Sequence, residues 1–266
     1  MLRSPSRTVR WAMEQVLRVA GRYRILDLRP GWTLRLDPSA HRVVSGSQLE
    51  DPVQVAELDE FIDTCTPGMV LFDVGAHFGV FALAAVHYGG EAARVVAVEP
   101  SESACRTLSH QAKLNGVQTT INVVQAAAGE VSGWVNMVAT GVLADGYFVP
   151  DDGGRPAADL TRVRAVTVDE LVRETGLHPT HLKIDVEGQE AAVLRGAQGL
   201  LSGPKSPLLF LELHTEMIRD RAGDPTEALR LLEEYGYADI SIAGRSTSHR
   251  DLLALPLARI VARTPD

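Results

Sequence analysis

Phe72-Asp73-Val74-Gly75-Ala76-His77-Phe78-Gly79 is the stretch on which the architecture turns. It closes a compact apolar run, residues 69–74, that reads as a buried parallel strand. It then opens a helical stretch to His87. Glycines at such a junction let backbone come close to a ligand, and the helix start offers free N–H groups. Outward from this point the rhythm repeats. Residues 94–98 form a second apolar run ending in Glu99-Pro100, a helix covers 102–115 up to Asn115-Gly116, and 121–126 is a third strand. Strand, helix, strand in this alternation means right-handed crossovers and a parallel sheet. Strands follow at 162–168, 181–185 and 208–213, with a helix from Glu187-Gly188 to Leu201 and another over 225–235. An antiparallel hairpin pairs 237–243 with 257–263.

Before the sheet the pattern differs. Residues 8–20 form a short basic amphipathic helix, which suits a membrane or partner surface and equally suits docking on the chain's own acidic body. Short strands are expected at 23–28, 32–36 and 42–44, and a helix over 52–65. Residues 1–66 are thus an N-terminal extension to a catalytic domain over 67–266. Residues 140–160 are rich in Gly, Pro and Asp, lack periodicity and read as one long loop, a candidate lid.

Composition excludes several classes. The 266 residues carry a net charge of −8, yet residues 1–35 hold eight Arg against Glu14 and Asp27. An acidic body argues against a nucleic-acid surface, which needs clustered Lys and Arg. The two cysteines, Cys65 and Cys105, cannot build a disulfide framework or a zinc cage, and fit a reducing cytoplasm. No apolar run approaches the ~20 residues of a membrane span. The start is too interrupted by charge for a signal peptide, so the chain is read as unprocessed and cytoplasmic.

A ligand in an open α/β sheet sits at the carboxyl ends of its strands. Glu99, ending the second strand, suits both ribose hydroxyls of an adenosine. A dinucleotide site wants G-x-G-x-x-G, but here His77 fills the middle glycine's slot. Asp73 would repel a pyrophosphate and would welcome an ammonium and a sulfonium. The residues therefore favour S-adenosylmethionine over a nicotinamide cofactor. A second constellation, Lys183-Ile184-Asp185-Val186-Glu187-Gly188-Gln189-Glu190, precedes Glu212 and His214 at the end of the next strand. Ionisable groups at a buried strand end are costly unless paired. One reading makes them a proton-handling or metal-holding cluster. The other makes them a Lys183–Asp185 ion pair with a carboxylate capping the following helix.

The series DVGAHFG (73–79), VEP (98–100), TVDEL (167–171), LKIDVEGQE (182–190), VLRGA (193–197) and LELH (211–214) resembles the FkbM-type methyltransferases, over roughly residues 50–215. Their known members are mostly S-adenosylmethionine-dependent O-methyltransferases acting on hydroxyls of natural products, sugars and glycolipids. The resemblance implies a Rossmann-like seven-stranded sheet of order 3-2-1-4-5-7-6 with strand 7 antiparallel. It places the cofactor on Asp73, Gly75, Ala76, His77, Phe78 and Gly79, with Glu99, Pro100, Ser101 and Ala126 around the adenosine. It places Asp185 near the methyl group. His77 stands where Asn is usual, and TVDEL replaces the commoner TLDEL. Residues 1–45 and 140–160 have no counterpart and are left to choose the acceptor.

An alcohol becomes a good nucleophile once its proton has a base to go to. Asp185 or His214 is expected to be that base, with Glu187 and Glu212 orienting it. The alternative is a Mg²⁺ on Asp185, Glu187 and Glu212, which is not favoured. Three rivals stand beside an O-methyltransferase: a nicotinamide oxidoreductase, a cofactor-binding protein without turnover, and an N- or C-methyltransferase. The dipole-lined Asn-Pro-Pro-Tyr pocket of base methylation is absent after the fourth strand, and aromatics are only 5%. The expected partner is a small-molecule hydroxyl acceptor, and the N-terminal segment is a candidate arm for a homodimer.

Overall fold

The computed structural model describes residues 23–139, 146–149, 160–242 and 244–265. The basic helix expected at 8–20 and most of the loop at 140–160 lie outside these residues. In chain order the strands are β1 (Arg24–Arg29), β2 (Trp32–Leu36), β3 (Val70–Val74), β4 (Arg94–Glu99), β5 (Ile121–Gln125), β6 (Ala127–Ala128), β7 (Gly133–Ala139), β8 (Gly146–Val149), β9 (Leu160–Val166), β10 (His181–Ile184), β11 (Leu208–Leu213), β12 (Asp239–Ile242), β13 (Arg245–Ser246) and β14 (Ala258–Arg263). The helices are α1 (Pro38–Ser45), α2 (Pro52–Thr64), α3 (Val80–Gly89), α4 (Glu102–Leu114), α5 (Val168–Thr175), α6 (Glu190–Arg195), α7 (Gln198–Leu201), α8 (Thr215–Asp220), α9 (Thr226–Glu234) and α10 (His249–Ala254).

The central sheet is mixed and Rossmann-like. Its order is β13-β12-β14-β11-β10-β3-β4-β5, eight strands where seven were expected, because the two-residue β13 adds an edge. Strands β5, β4, β3, β10 and β11 run parallel, and β14 enters antiparallel between β11 and β12. Side chains of a strand alternate between faces, so a strand buried on both sides needs apolar residues throughout. Phe72, Val74, Val96, Val98, Leu182, Ile184, Leu209 and Leu211 pack on one side against α5, α6, α7 and α9. Leu71, Val95, Ala97, Phe210 and Val261 pack on the other against α1, α2, α3, α4 and the β1–β2 hairpin.

On this second face polar residues break the pattern in two neighbouring rows. Lys183 sits in register with Asp73 across β10 and β3. Glu212 sits in register with Arg259 across β11 and β14. All four lie toward the carboxyl ends of the parallel strands, where α2 and α3 cover them.

Three expectations are corrected. Residues 42–44 are helical, because Asp37-Pro38 is a helix start rather than a turn: the Asp37 carboxylate accepts the Ser39 N–H at 2.9 Å and Pro38 occupies the first helical position. Strand β9 ends at Val166, and Val168 opens α5, since Thr167 caps it through the Glu170 N–H. The stretch 140–160 is not one loop. Gly146–Val149 pairs with β7 in a second, four-stranded sheet of order β6-β9-β7-β8, and Tyr147-Phe148-Val149 is a β-favouring run hidden among turn residues.

Candidate active site

The turn after β3 is bound to its neighbours by main chain. Gly75 and Ala76 N–H both donate to the Val98 carbonyl, at 2.9 and 3.0 Å. Gly75 has φ +84°, and a Cβ there would lie 1.8 Å from the Asp185 carbonyl oxygen. Only glycine fits, and its absence of a side chain is what lets the first and second constellations meet. His77 takes a left-handed φ of 47°, and its ring stacks on Phe78. Gly79, at φ +77°, starts α3.

Glu99 is buried at the end of β4. Its carboxylate accepts the His77 N–H at 2.9 Å through Oε2 and the Ser101 N–H at 2.8 Å through Oε1. Its carbonyl receives the Ala126 N–H. Burial raises its pKa to about 7, against the pull of those two N–H groups. Ser101 also caps α4 by accepting the Ala104 N–H. Asp73 is 1% exposed, and its Oδ2 has no hydrogen-bond partner. Burial raises its pKa to about 6, with the Lys183 ammonium pulling the other way. A buried carboxylate oxygen without a donor is costly.

Behind it stands a network of charge. Lys183 Nζ lies 3.2 Å from Asp185 Oδ2 and 3.1 Å from Glu212 Oε1, and 4.6 Å above the Phe81 ring. Arg259 meets Glu212 at 3.2 Å and Glu57 of α2 at 2.7 Å. Three carboxyls thus face two cations. Burial, then the neighbouring Glu212, drives Glu57 up, and burial drives Asp185 up. Burial would raise Glu212 too, but Lys183 and Arg259 outweigh it and hold Glu212 ionised.

His214 follows β11. Its Nδ1 is 2.8 Å from Glu190 Oε1, and its Nε2 is 3.8 Å from Asp185 Oδ1. Burial lowers its pKa, but the Glu190 carboxylate outweighs this and raises it. Glu187 has φ 51°, its carbonyl accepts Arg221 Nη1 at 2.6 Å, and its carboxylate acts through charge on Glu99. The carboxylate that meets the Gly188 N–H is Glu190, at 2.9 Å.

Asp185, Glu212 and His214 bring ligand atoms within 4.8 Å of one another. They do not fit a resident Mg²⁺. The Lys183 ammonium already lies about 3 Å from both carboxylates and Arg259 adds a second cation on Glu212, and Mg²⁺ wants octahedral oxygen ligands. The structure therefore joins Asp73, the 75–79 turn, Glu99, Ser101, Asp185 and His214 at one end of the sheet. Sequence reasoning missed Glu57, Arg259 and the part played by Glu190. Glu57 is one of four acids in α2 and Arg259 one of two arginines in β14, so neither is distinguishable from a surface residue until the sheet order is known.

A family model described as the methyltransferase FkbM domain matches residues 73–238. The chain belongs to the FkbM methyltransferase domain family. The match spans the turn after β3, Glu99, the Lys183–Glu190 segment and His214. A curated relative, the ribosomal protein L11 methyltransferase of Pelotomaculum thermopropionicum, is 36% identical over 160 residues, which is 55% of this chain. The matched segment spans 50% of that relative's length. Among solved structures, the precorrin-6y C5,15-methyltransferase of Geobacter metallireducens has 16% identity and a TM-score of 0.46, over 79% of this chain and 86% of that one. A SAM-dependent O-methyltransferase from Thermotoga maritima has 12% identity and a TM-score of 0.47, over 88% and 74%. Among the described residues of this FkbM-domain protein, no helix is long and apolar enough to cross a membrane.

Proposed function

We propose that the protein is an S-adenosylmethionine-dependent O-methyltransferase whose acceptor is a hydroxyl of a small molecule such as a sugar, glycolipid or polyketide-type product, acting in the cytoplasm. The observation that carries this reading is Asp73 Oδ2, buried and without a donor beside the Gly75 turn. Such an oxygen suits an ammonium group and repels a phosphate. Glu99, fixed from two sides by backbone N–H groups, keeps lone pairs for a ribose diol. When bound, S-adenosylmethionine supplies a methyl group on a positively charged sulfur.

The chain's own residues hold the acceptor and manage its proton. Asp185 is tied to Lys183 and its backbone packs against Gly75, so it holds a fixed place beside the acceptor. His214 Nε2 takes the hydroxyl proton as the oxygen–carbon bond forms and the carbon–sulfur bond of the donor breaks. A base so placed contributes typically ~10²–10⁴-fold. Residues 67–266 make up the catalytic unit in this reading, and the extension's α2 contributes Glu57.

The test is a calorimetric titration with S-adenosylmethionine, S-adenosylhomocysteine and NAD. Binding of the first two and not the third is expected, and the reverse sinks the proposal. Release of S-adenosylhomocysteine is then followed across a panel of hydroxyl acceptors. The relative named for ribosomal protein L11 favours a second reading, methylation of a protein, and purified L11 belongs in the same panel.

A further inference from the structure

We infer that Glu190 is a positioning residue for His214: its buried carboxylate fixes the imidazole in the Nδ1–H tautomer, which leaves the Nε2 lone pair facing the acceptor. This rests on the reading of His214 as the base.

Glu190 is fully buried at the start of α6. Its Oε1 takes the Gly188 N–H at 2.9 Å and His214 Nδ1 at 2.8 Å. Burying a carboxylate merely to satisfy one backbone N–H is poor chemistry, since a neutral amide does the same without the desolvation cost. The second partner accounts for the charge. An ionised carboxylate only accepts, so the neutral ring must carry its proton on Nδ1. Its other nitrogen then has a free lone pair, 3.8 Å from Asp185 Oδ1. That gap is too wide for a direct hydrogen bond, so Asp185 leaves the Nε2 lone pair open to the proton of an approaching hydroxyl. When Nε2 accepts the proton, the imidazolium formed already lies against Glu190. A base held in orientation by a third group is the arrangement that unrelated nucleophile-activating sites share. The backbone supports it: Glu187 in its left-handed conformation and Gly188 at φ +93° turn the chain so that α6 starts with Glu190 pointing beneath His214.

The experiment is nitrogen NMR on the full chain labelled at histidine, at a pH where the ring is neutral. His214→Asn assigns the signal, and S-adenosylhomocysteine is the probe. The wild type is expected to show a protonated Nδ1 and a bare Nε2, with and without the probe. Glu190→Gln, which can still accept, keeps that tautomer. Glu190→Leu, which cannot, moves the proton to Nε2 and leaves probe affinity within about 2-fold. A wild-type ring protonated on Nε2, or a tautomer unchanged in Glu190→Leu, overturns the inference. The wild-type spectrum decides even where a variant does not fold. Failure of the probe to bind the wild type overturns the proposed function instead, and does so independently of the tautomer.

Discussion

Gly75→Ala isolates the joint between the two constellations. A Cβ at this position would lie 1.8 Å from the Asp185 carbonyl oxygen, where real contacts stop at 3.0 Å, so β3 and β10 must part by about 1.2 Å at their ends. The strained φ of +84° adds ~1–2 kcal/mol for a residue with a side chain, and overpacking adds ~1–3 kcal/mol. The sum is roughly 2–5 kcal/mol. Gly176→Ala is the control. It has φ +67° at the end of α5 but nothing within 4 Å of its Cβ, so it pays the backbone cost alone, ~1–2 kcal/mol. In a domain of this size each kcal/mol moves the melting temperature by ~2–4 °C. Thermal unfolding of the two variants side by side is expected to place Gly75→Ala ~2–12 °C below Gly176→Ala. Calorimetry should also show S-adenosylhomocysteine affinity reduced by at least ~10-fold in Gly75→Ala only. Equal melting temperatures together with equal affinities would refute the argument that backbone contact at Gly75 builds the site.

Other expectations follow from the charges. Asp73→Asn removes a buried carboxylate whose Oδ2 has no hydrogen-bond partner, so the ligand-free protein should melt no lower than wild type while S-adenosylmethionine affinity falls at least ~10-fold. Because the folded-state pKa of Asp73 is raised to about 6, its protonation stabilises the ligand-free fold fully below its ordinary value of ~3.9, and that contribution is lost as pH rises through 6. The cationic ligand has the opposite preference: its affinity should climb over the same window, and the climb should flatten in Asp73→Asn. Arg259→Met strips the countercharge from Glu57 and Glu212 together and should cost ~3–5 kcal/mol, read by urea unfolding; a loss under ~1 kcal/mol would mean the network is not a unit. His214→Asn should lower turnover by at least ~10² with cofactor affinity unchanged, measured once an acceptor is in hand.

Much of this site was legible from residues alone, for reasons that differ by position. Gly75 and Glu99 were found because the chemistry of a strand end is local: a glycine where backbone crowds, a carboxylate at a crevice. Lys183 and Asp185 drew attention as charges in an apolar strand. Their partners Glu57 and Arg259 did not, because no spacing along the chain reveals that α2 and β14 will face each other across Glu212. Glu190 was hidden by its neighbour. Both Glu187 and Glu190 suit a helix start, and only the left-handed backbone at Glu187 decides that Glu190 turns inward. The shared motifs split in the same way. In TVDEL, the Asp169 carboxylate accepts the Gly199 and Leu200 N–H groups at 2.8 and 2.9 Å and so starts α7. In VLRGA, a Cβ on Gly196 would lie 2.0 Å from the Gly129 carbonyl. These two motifs hold layers together and touch no part of the site. The misread helix start at Asp37-Pro38 came from treating Pro as a turn signal when the preceding Asp made it a cap.

The place of β14 has a consequence for how the molecule is made. Arg259 follows its partner Glu57 by 202 residues, so at ~5–20 residues per second the ribosome adds it roughly 10–40 s later. In the last ~2–9 s of that interval α2, β10 and β11 are in the chain with Glu57, Lys183 and Glu212, but the second cation is not. The nascent domain therefore carries surplus negative charge at the centre of its sheet, and α2 cannot seat Glu57 against it at low cost. Insertion of β14 brings the missing charge and the missing strand in one event. Completion of the sheet and neutralisation of the site are the same step of biogenesis.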